Sequence, residues 1–245
     1  MTASPPLIKQ PIALFLDVDG TLLELASHPE AVVVSVSLRQ SLQRLAQQQN
    51  GALALVSGRS IETLDRLFYP IRFAAAGLHG FEWRAATGEL KRGLMDQALL
   101  MPARAQLDAY VTGESGVLLE DKGWTLAVHF RNAPQRESEI RRLMESIAVT
   151  LAPKFQLATG KCVLELTPTA YSKGTAIQEF MCEPPFAGRL PIFVGDDVTD
   201  EHGFEVTNAL RGCSVRVGDD DARTSARYRI RGVAAVIEWL RQLGA

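Results

Sequence analysis

The sequence is poor in what several protein classes require. Its three cysteines, Cys162, Cys182 and Cys213, lack the spacing of a disulfide framework or a zinc site. They read as small buried hydrophobes in a reducing compartment. No window approaches the ~20 apolar residues needed to span a bilayer. The N-terminal stretch MTASPPLIKQP holds no apolar core of signal-peptide length, so a cytoplasmic protein is expected. Excess charge is also missing: 26 Lys and Arg against 28 Asp and Glu leave a formal charge of -2, which argues against nucleic acid or an acidic membrane as partner. A local basic pocket for one anionic ligand stays compatible with that balance. Neither a GxxxxGK[ST] phosphate loop nor a GxGxxG turn is present. There is no internal repeat, low-complexity tract or coiled-coil pattern, so the sequence does not reveal an oligomeric state.

What remains is ordinary globular material. Apolar residues make up 47% of the 245 positions, enough for one large α/β unit or a core with a smaller partner. Ile12 to Leu16 is a continuous apolar run, the pattern of a strand buried on both faces. It stops at Asp17-Val-Asp-Gly-Thr21. Helical spacing from Val32 to Gln49 leads into a second buried strand, Gly51 to Val56, ending at Ser57-Gly-Arg-Ser60. A helix over Ile61–Phe68 and a strand over Phe73–Ala76 follow, the latter ending in Gly77-Leu-His-Gly80. Strand and helix in alternation predict a mostly parallel sheet, whose site lies beyond the carboxyl ends of the strands.

The pattern then changes. A helix is expected over Ala98–Val111. A hairpin pairs Gly116–Glu120 with Trp124–Phe130, and a second helix covers Ser138–Val149. Another hairpin pairs Lys154–Ala158 with Cys162–Leu166, turning at Thr159-Gly-Lys161. Trp124, Leu126, Val128 and Phe130 alternate as in a sheet with one wet face. After Pro168 the parallel pattern resumes: a helix over Lys173–Met181, strands over Leu190–Val194 and Cys213–Val217, and a closing helix over Val233–Leu243. The expectation is a core interrupted by an inserted α+β lobe over residues 95–168, the core being 1–94 and 169–245.

Asp17 and Asp19 follow a buried strand directly, where two carboxylates are costly unless they bind a cation or are well hydrogen-bonded. Alone, the pair would read as turn and cap carboxylates. A second strand, however, delivers Asp196 and Asp197, with Asp200 three residues on. Paired acids from two strand ends suit a hard, oxygen-liking cation such as Mg2+. Ser57 offers a hydroxyl and nearby N–H groups to a phosphoryl oxygen, and Lys173, starting a helix, offers positive charge. Acid, metal, hydroxyl and amine are what in-line phosphoryl transfer requires.

At these residues the chain resembles the haloacid-dehalogenase (HAD) superfamily of phosphatases. Asp17-Val-Asp-Gly-Thr21, Val56-Ser-Gly-Arg59, Lys173 and Gly195-Asp-Asp-Val-Thr-Asp200 match its four motifs in order. The resemblance implies a HAD-like Rossmannoid core with a C2-type cap. It implies that Asp17 attacks phosphorus, and that Asp19 protonates the leaving oxygen and then activates water. Ser57 and Lys173 would clamp the phosphoryl group. Asp17, the backbone carbonyl of Asp19 and Asp196 would hold Mg2+, with Asp197 or Asp200 nearby.

Further segments are similar to the trehalose-6-phosphate phosphatase family: Ala76-Gly-Leu-His-Gly-Phe-Glu82, Glu120 to Arg131, Gly160 to Glu165 and Ser172-Lys-Gly174. That resemblance implies a Mg2+-dependent enzyme taking trehalose 6-phosphate to trehalose and phosphate, the last step of trehalose biosynthesis. Glu120, Lys122, Lys161 and Glu165 of the cap would meet sugar hydroxyls. Arg59, His79, Gly80 and Glu82 would complete the substrate contacts. A sucrose-phosphate or mannosyl-phosphoglycerate enzyme would share the core and differ in the lobe. Without the resemblance, Lys122 and Lys161 read as solvated turn residues, His129 as a packing or hydrogen-bonding residue, and Gly218-Asp-Asp-Asp221 as a solvated loop.

Overall fold

The computed structural model describes residues 4–8, 10–26, 31–218 and 223–244. Asp219 to Asp221, expected as a solvated loop, lie outside them. By its internal contacts the chain forms two compact units, residues 1–92 with 172–245 and residues 93–171. Among the described residues no helix is long and apolar enough to cross a membrane.

The first unit opens with β1 (Ile12–Leu16), α1 (Val36–Gln48), β2 (Leu53–Val56), α2 (Ile61–Phe68), β3 (Ala74–Gly77), β4 (Glu82–Arg84) and β5 (Leu90–Arg92). The second holds α3 (Met101–Val111), β6 (Leu118–Asp121), β7 (Leu126–His129), α4 (Glu137–Leu151), β8 (Phe155–Gly160) and β9 (Val163–Pro168). The chain returns through α5 (Lys173–Met181), β10 (Leu190–Gly195), α6 (Glu201–Ala209), β11 (Cys213–Val217), β12 (Tyr228–Ile230) and α7 (Val233–Leu243).

Eight strands of the first unit form one sheet in the order β12-β11-β10-β1-β2-β3-β4-β5. The pairings from β12 to β3 are parallel, and those of β3 with β4 and β4 with β5 are antiparallel, so β4 runs against the other seven strands. The unbroken apolar run of β1 follows from its place in the middle. Ile12, Leu14 and Leu16 pack with residues of α1, α2 and α7, while Ala13 and Phe15 pack with residues of α5 and α6. A strand covered on both faces has no use for polar residues until it ends. α1 begins four residues later than its apolar spacing predicts, because Ser35 accepts a hydrogen bond from the Leu38 N–H and sets the N-cap there.

The second unit is a four-stranded antiparallel sheet, β6-β7-β9-β8, with its own core. Leu126, Val128, Leu164 and Leu166 meet Leu107 of α3 and Ile140, Met144 and Ile147 of α4. Two expectations need correction. Strands β8 and β9 pair as far as Gly160 and Val163, so the turn sits at Lys161-Cys162, where Cys162 takes a positive φ of 62°. The face expected to be wet is polar but largely covered, since Thr125 and Ala127 are fully buried.

Candidate active site

Strands β10, β1 and β2 are parallel neighbours, so their carboxyl ends emerge on one edge and deliver Asp196, Asp17 and Ser57 together. The sheet order reverses at β1, with β2 on one side and β10 on the other. Such a switch point is where open α/β sheets place their ligands. Backbone bonds extend the ladder into the site: Asp17 N–H donates to Val194 O at 3.0 Å, and Ser57 N–H to Ala76 O at 2.9 Å.

Asp17, Asp200 and Lys173 form a buried triad. The Lys173 ammonium donates to Asp17 Oδ1 and to Asp200 Oδ1, both at 2.7 Å. Burial works against the charge on Lys173, but the two carboxylates outweigh it and hold the amine above its ordinary value. Burial pushes the Asp17 carboxyl well above the usual carboxylate range. Lys173 pulls it back, while Asp200 and Asp196 push it further up. Lys173 owes its place to the first turn of α5, where Ser172 and Thr175 form a reciprocal capping box. Asp200 Oδ2 accepts from the N–H groups of Asp196 and Asp197 at 3.0 and 2.9 Å, pinning the loop after β10.

Carboxylate oxygens of Asp17, Asp196 and Asp200 lie within 4.8 Å of one another. All three residues are buried, and the donors are all oxygen, which fits a hard divalent cation and excludes a thiolate or imidazole zinc site. Gly20 makes room for this cluster. It sits at φ +83°, and a Cβ there would collide with the Asp196 carboxylate. Of the two acids between which the sequence left a choice, Asp200 joins the cluster, whereas Asp197 Oδ1 caps the next turn through the Val198 N–H at 2.8 Å.

Asp19 faces the other way. Its two oxygens accept from Arg59 Nε and Nη2 at 2.6 and 2.7 Å, a bidentate pair. The Ser57–Arg59 loop is fastened in turn to the segment after β3: Leu78 N–H donates to Arg59 O, and His79 N–H to Ser57 O. His79 takes a positive φ of 58° and its ring lies against Gly58. Gly80 is buried, close to the backbone of Ser172. Glu82 is buried with both oxygens engaged, Oε2 by the Ile61 N–H at 2.8 Å and Oε1 by Arg92 Nε at 2.9 Å.

In the second unit, strand register gathers a polar row. Glu120 pairs across from Ala127, and Ala127 from Glu165, on the face opposite the α3 and α4 core. Lys122 is not a solvated turn residue. Its side chain is 11% exposed, and its ammonium donates to both oxygens of Glu165, at 3.0 and 3.1 Å. His129 Nε2 lies 2.8 Å from Glu120 Oε2, so of the two roles its strand position allowed, this histidine takes the hydrogen-bonding one. Burial raises the Glu120 carboxyl, but His129 and Lys122 outweigh it and hold it below the ordinary glutamate value. Lys161 is exposed at the β8–β9 turn, and its carbonyl accepts from Arg131.

The family model for trehalose-phosphatase matches residues 15–234. The trehalose-6-phosphate phosphatase of Escherichia coli (strain K12) is 43% identical over 243 residues, 99% of this chain and 90% of that protein. Among solved structures, the C-terminal domain of C. albicans trehalose-6-phosphate phosphatase superposes with a TM-score of 0.86 at 21% identity, covering 96% of this chain and 93% of that one. A phosphatase of the haloalkanoate (HAD) superfamily from Bacteroides thetaiotaomicron gives 0.63 at 16% identity, covering 94% and 92%. These two likenesses establish the HAD fold.

Proposed function

The chain belongs to the trehalose-phosphatase family, and from that premise we propose that it hydrolyses trehalose 6-phosphate to trehalose and phosphate, the last step of trehalose biosynthesis. The observation that carries the reaction type is the buried triad. A strand-end carboxylate shares one ammonium with a second acid, beside a third acid at the neighbouring strand end.

In this reading Asp17 attacks phosphorus and takes the phosphoryl group as an aspartyl-phosphate. Asp19 gives a proton to the departing sugar oxygen. It then takes one from the water that releases phosphate and restores Asp17. Ser57 and Lys173 hold phosphoryl oxygens while the bonds change, and Arg59 keeps Asp19 in place on the substrate side. Asp17, Asp196 and the backbone carbonyl of Asp19, with Asp200 and Asp197 alongside, would hold Mg2+, which would supply charge neutralisation to the phosphoryl group. Lys173, kept charged despite burial by Asp17 and Asp200, performs the same service from the protein itself.

The catalytic domain is then residues 1–94 and 169–245, and residues 95–168 are its cap. The polar row Glu120, Lys122 and Glu165, with Lys161 at the turn, is the proposed reader of sugar hydroxyls; His79 and Gly80 are proposed substrate contacts of the catalytic unit. Oriented donors and acceptors reject a sugar that leaves them unpaired. The reading fits a cytoplasmic enzyme of a small metabolite. Phosphate release should be measured from trehalose 6-phosphate, sucrose 6-phosphate and glucose 6-phosphate, each with Mg2+ and with chelator. Strong preference for trehalose 6-phosphate, lost on chelation and restored by Mg2+, is expected. Preference for another sugar phosphate, or full activity in chelated protein, contradicts the proposal.

A further inference from the structure

Glu82 lies in a cross-strand row whose members differ sharply in size. On neighbouring strands β3, β4 and β5 the register aligns Gly77 with Glu82 and Glu82 with Arg92. Gly77 leaves its position empty. A Cβ there would lie 2.8 Å from both Arg59 O and Ile61 N, so the loop that follows β2 rests directly on the glycine. Glu82, beside it, reaches the same loop with Oε2 on the Ile61 N–H, an N–H of the first turn of α2 that has no partner within the helix. Ser60, the N-cap, serves the Thr63 N–H instead. The carboxylate also sits where the helix favours negative charge, and Arg92 holds its other oxygen.

Two residues before Ile61 stands Arg59, whose guanidinium grips Asp19. The backbone of the intervening loop is held at Ser57 and Arg59 by His79 and Leu78, and at Ile61 by Glu82. We propose that Glu82 is a positioning residue for the proton-transfer step. Through the Ile61 N–H it fixes the loop from which Arg59 aims Asp19, with Arg92 as its partner, and it acts through the protein rather than on the sugar. The inference rests on the reading of Asp19 as proton donor, and it predicts which part of the reaction suffers when Glu82 changes. Departure of a sugar alkoxide needs a proton; departure of 4-nitrophenolate hardly does. Loss of Glu82 therefore falls on the unactivated leaving group.

The test compares kcat and KM for trehalose 6-phosphate and 4-nitrophenyl phosphate in wild type, Glu82→Gln, Arg59→Ala and the double variant. Glu82→Gln keeps the volume but offers one neutral acceptor where two charged ones served Ile61 and Arg92. We expect kcat/KM, which covers the steps through departure of the leaving group and not the water step both substrates share, to fall about 10- to 100-fold for trehalose 6-phosphate and about 3-fold or less for the aryl phosphate. In the Arg59→Ala background, Glu82→Gln adds little further loss, since both act on Asp19. Equal losses on both substrates, a change confined to KM, fully multiplicative losses in the double variant, or wild-type kinetics for Glu82→Gln would each overturn the proposal. A wild-type enzyme inactive on trehalose 6-phosphate overturns the functional reading itself, a result distinct from equal losses in an active enzyme.

Discussion

Asp17 is the residue on which the proposed chemistry and much of the electrostatic cost converge. Its carboxyl is held well above the ordinary value by burial and by Asp200 and Asp196, against the pull of Lys173. A carboxyl raised in the folded state binds protons more tightly there than in the unfolded chain. Its unfavourable contribution is absent below the unfolded value near 3.8, grows as pH rises from there to the folded value, and is constant above it. Asp17→Asn should therefore raise the Tm of chelated protein at neutral pH, by ~2–4 °C for each ~1 kcal/mol relieved. Differential scanning calorimetry at pH 4 and pH 7 checks the sign: the gain should shrink at the lower pH and when Mg2+ is added. The same variant should lose turnover by several orders of magnitude, because the amide oxygen is a poor nucleophile. Lys173→Ala should act in the opposite sense on stability. It leaves buried carboxylates facing one another, a change that costs about 3–5 kcal/mol when one partner of a buried pair is removed, and chemical denaturation would measure it.

At the scale of elements, helix starts and strand ends do the positioning. Ser172 caps α5 one residue before Lys173, so Ser172→Ala should cost about 1 kcal/mol and lower activity by loosening the lysine as well. Unchanged stability in chemical denaturation would mean that the Ser172 cap does not stabilise α5. The strands that deliver Asp17, Ser57 and Asp196 were legible in the sequence, because a strand covered on both faces is written as an unbroken apolar run. Strands β4, β5 and β12 were not. Each has three residues, and Leu90-Lys-Arg92 is exposed and charged, so no period forms. Helix α6 was missed too, since Phe204 and Val206 are its only large buried apolar side chains. Its loss from the sequence reading matters little to the chemistry. That of β5 hid Arg92, the partner of Glu82, for which no local signal exists. Residue type also misled at Lys122: a lysine at a hairpin turn reads as solvated until strand pairing brings Glu165 beside it.

Across the whole molecule, the proposed function gives phosphate chemistry to one unit and sugar choice to the other. Glu165→Ala should then lower kcat/KM for trehalose 6-phosphate by ~10- to 1,000-fold, a loss of ~1.4 to 4 kcal/mol of transition-state stabilisation. Hydrolysis of a small aryl phosphate should change far less; equal losses on both substrates would remove the sugar-reading role. The division into a parallel core and an antiparallel insertion was legible because the two kinds of sheet leave different apolar patterns. The choice of Asp200 over Asp197 is made by side-chain bonding in the turn after β10, where Asp197 caps Val198 and Asp200 accepts from Asp196 and Asp197, and by Lys173 from α5, none of which leaves an apolar pattern. The central claim is that Asp17 carries the phosphoryl group before water does. The most direct measurement is the stereochemical course at phosphorus, using trehalose 6-phosphate made chiral with oxygen isotopes. Two successive in-line displacements, the first by Asp17 and the second by water, each invert the centre, so the account predicts net retention. Net inversion would mean a single attack by water and would contradict it.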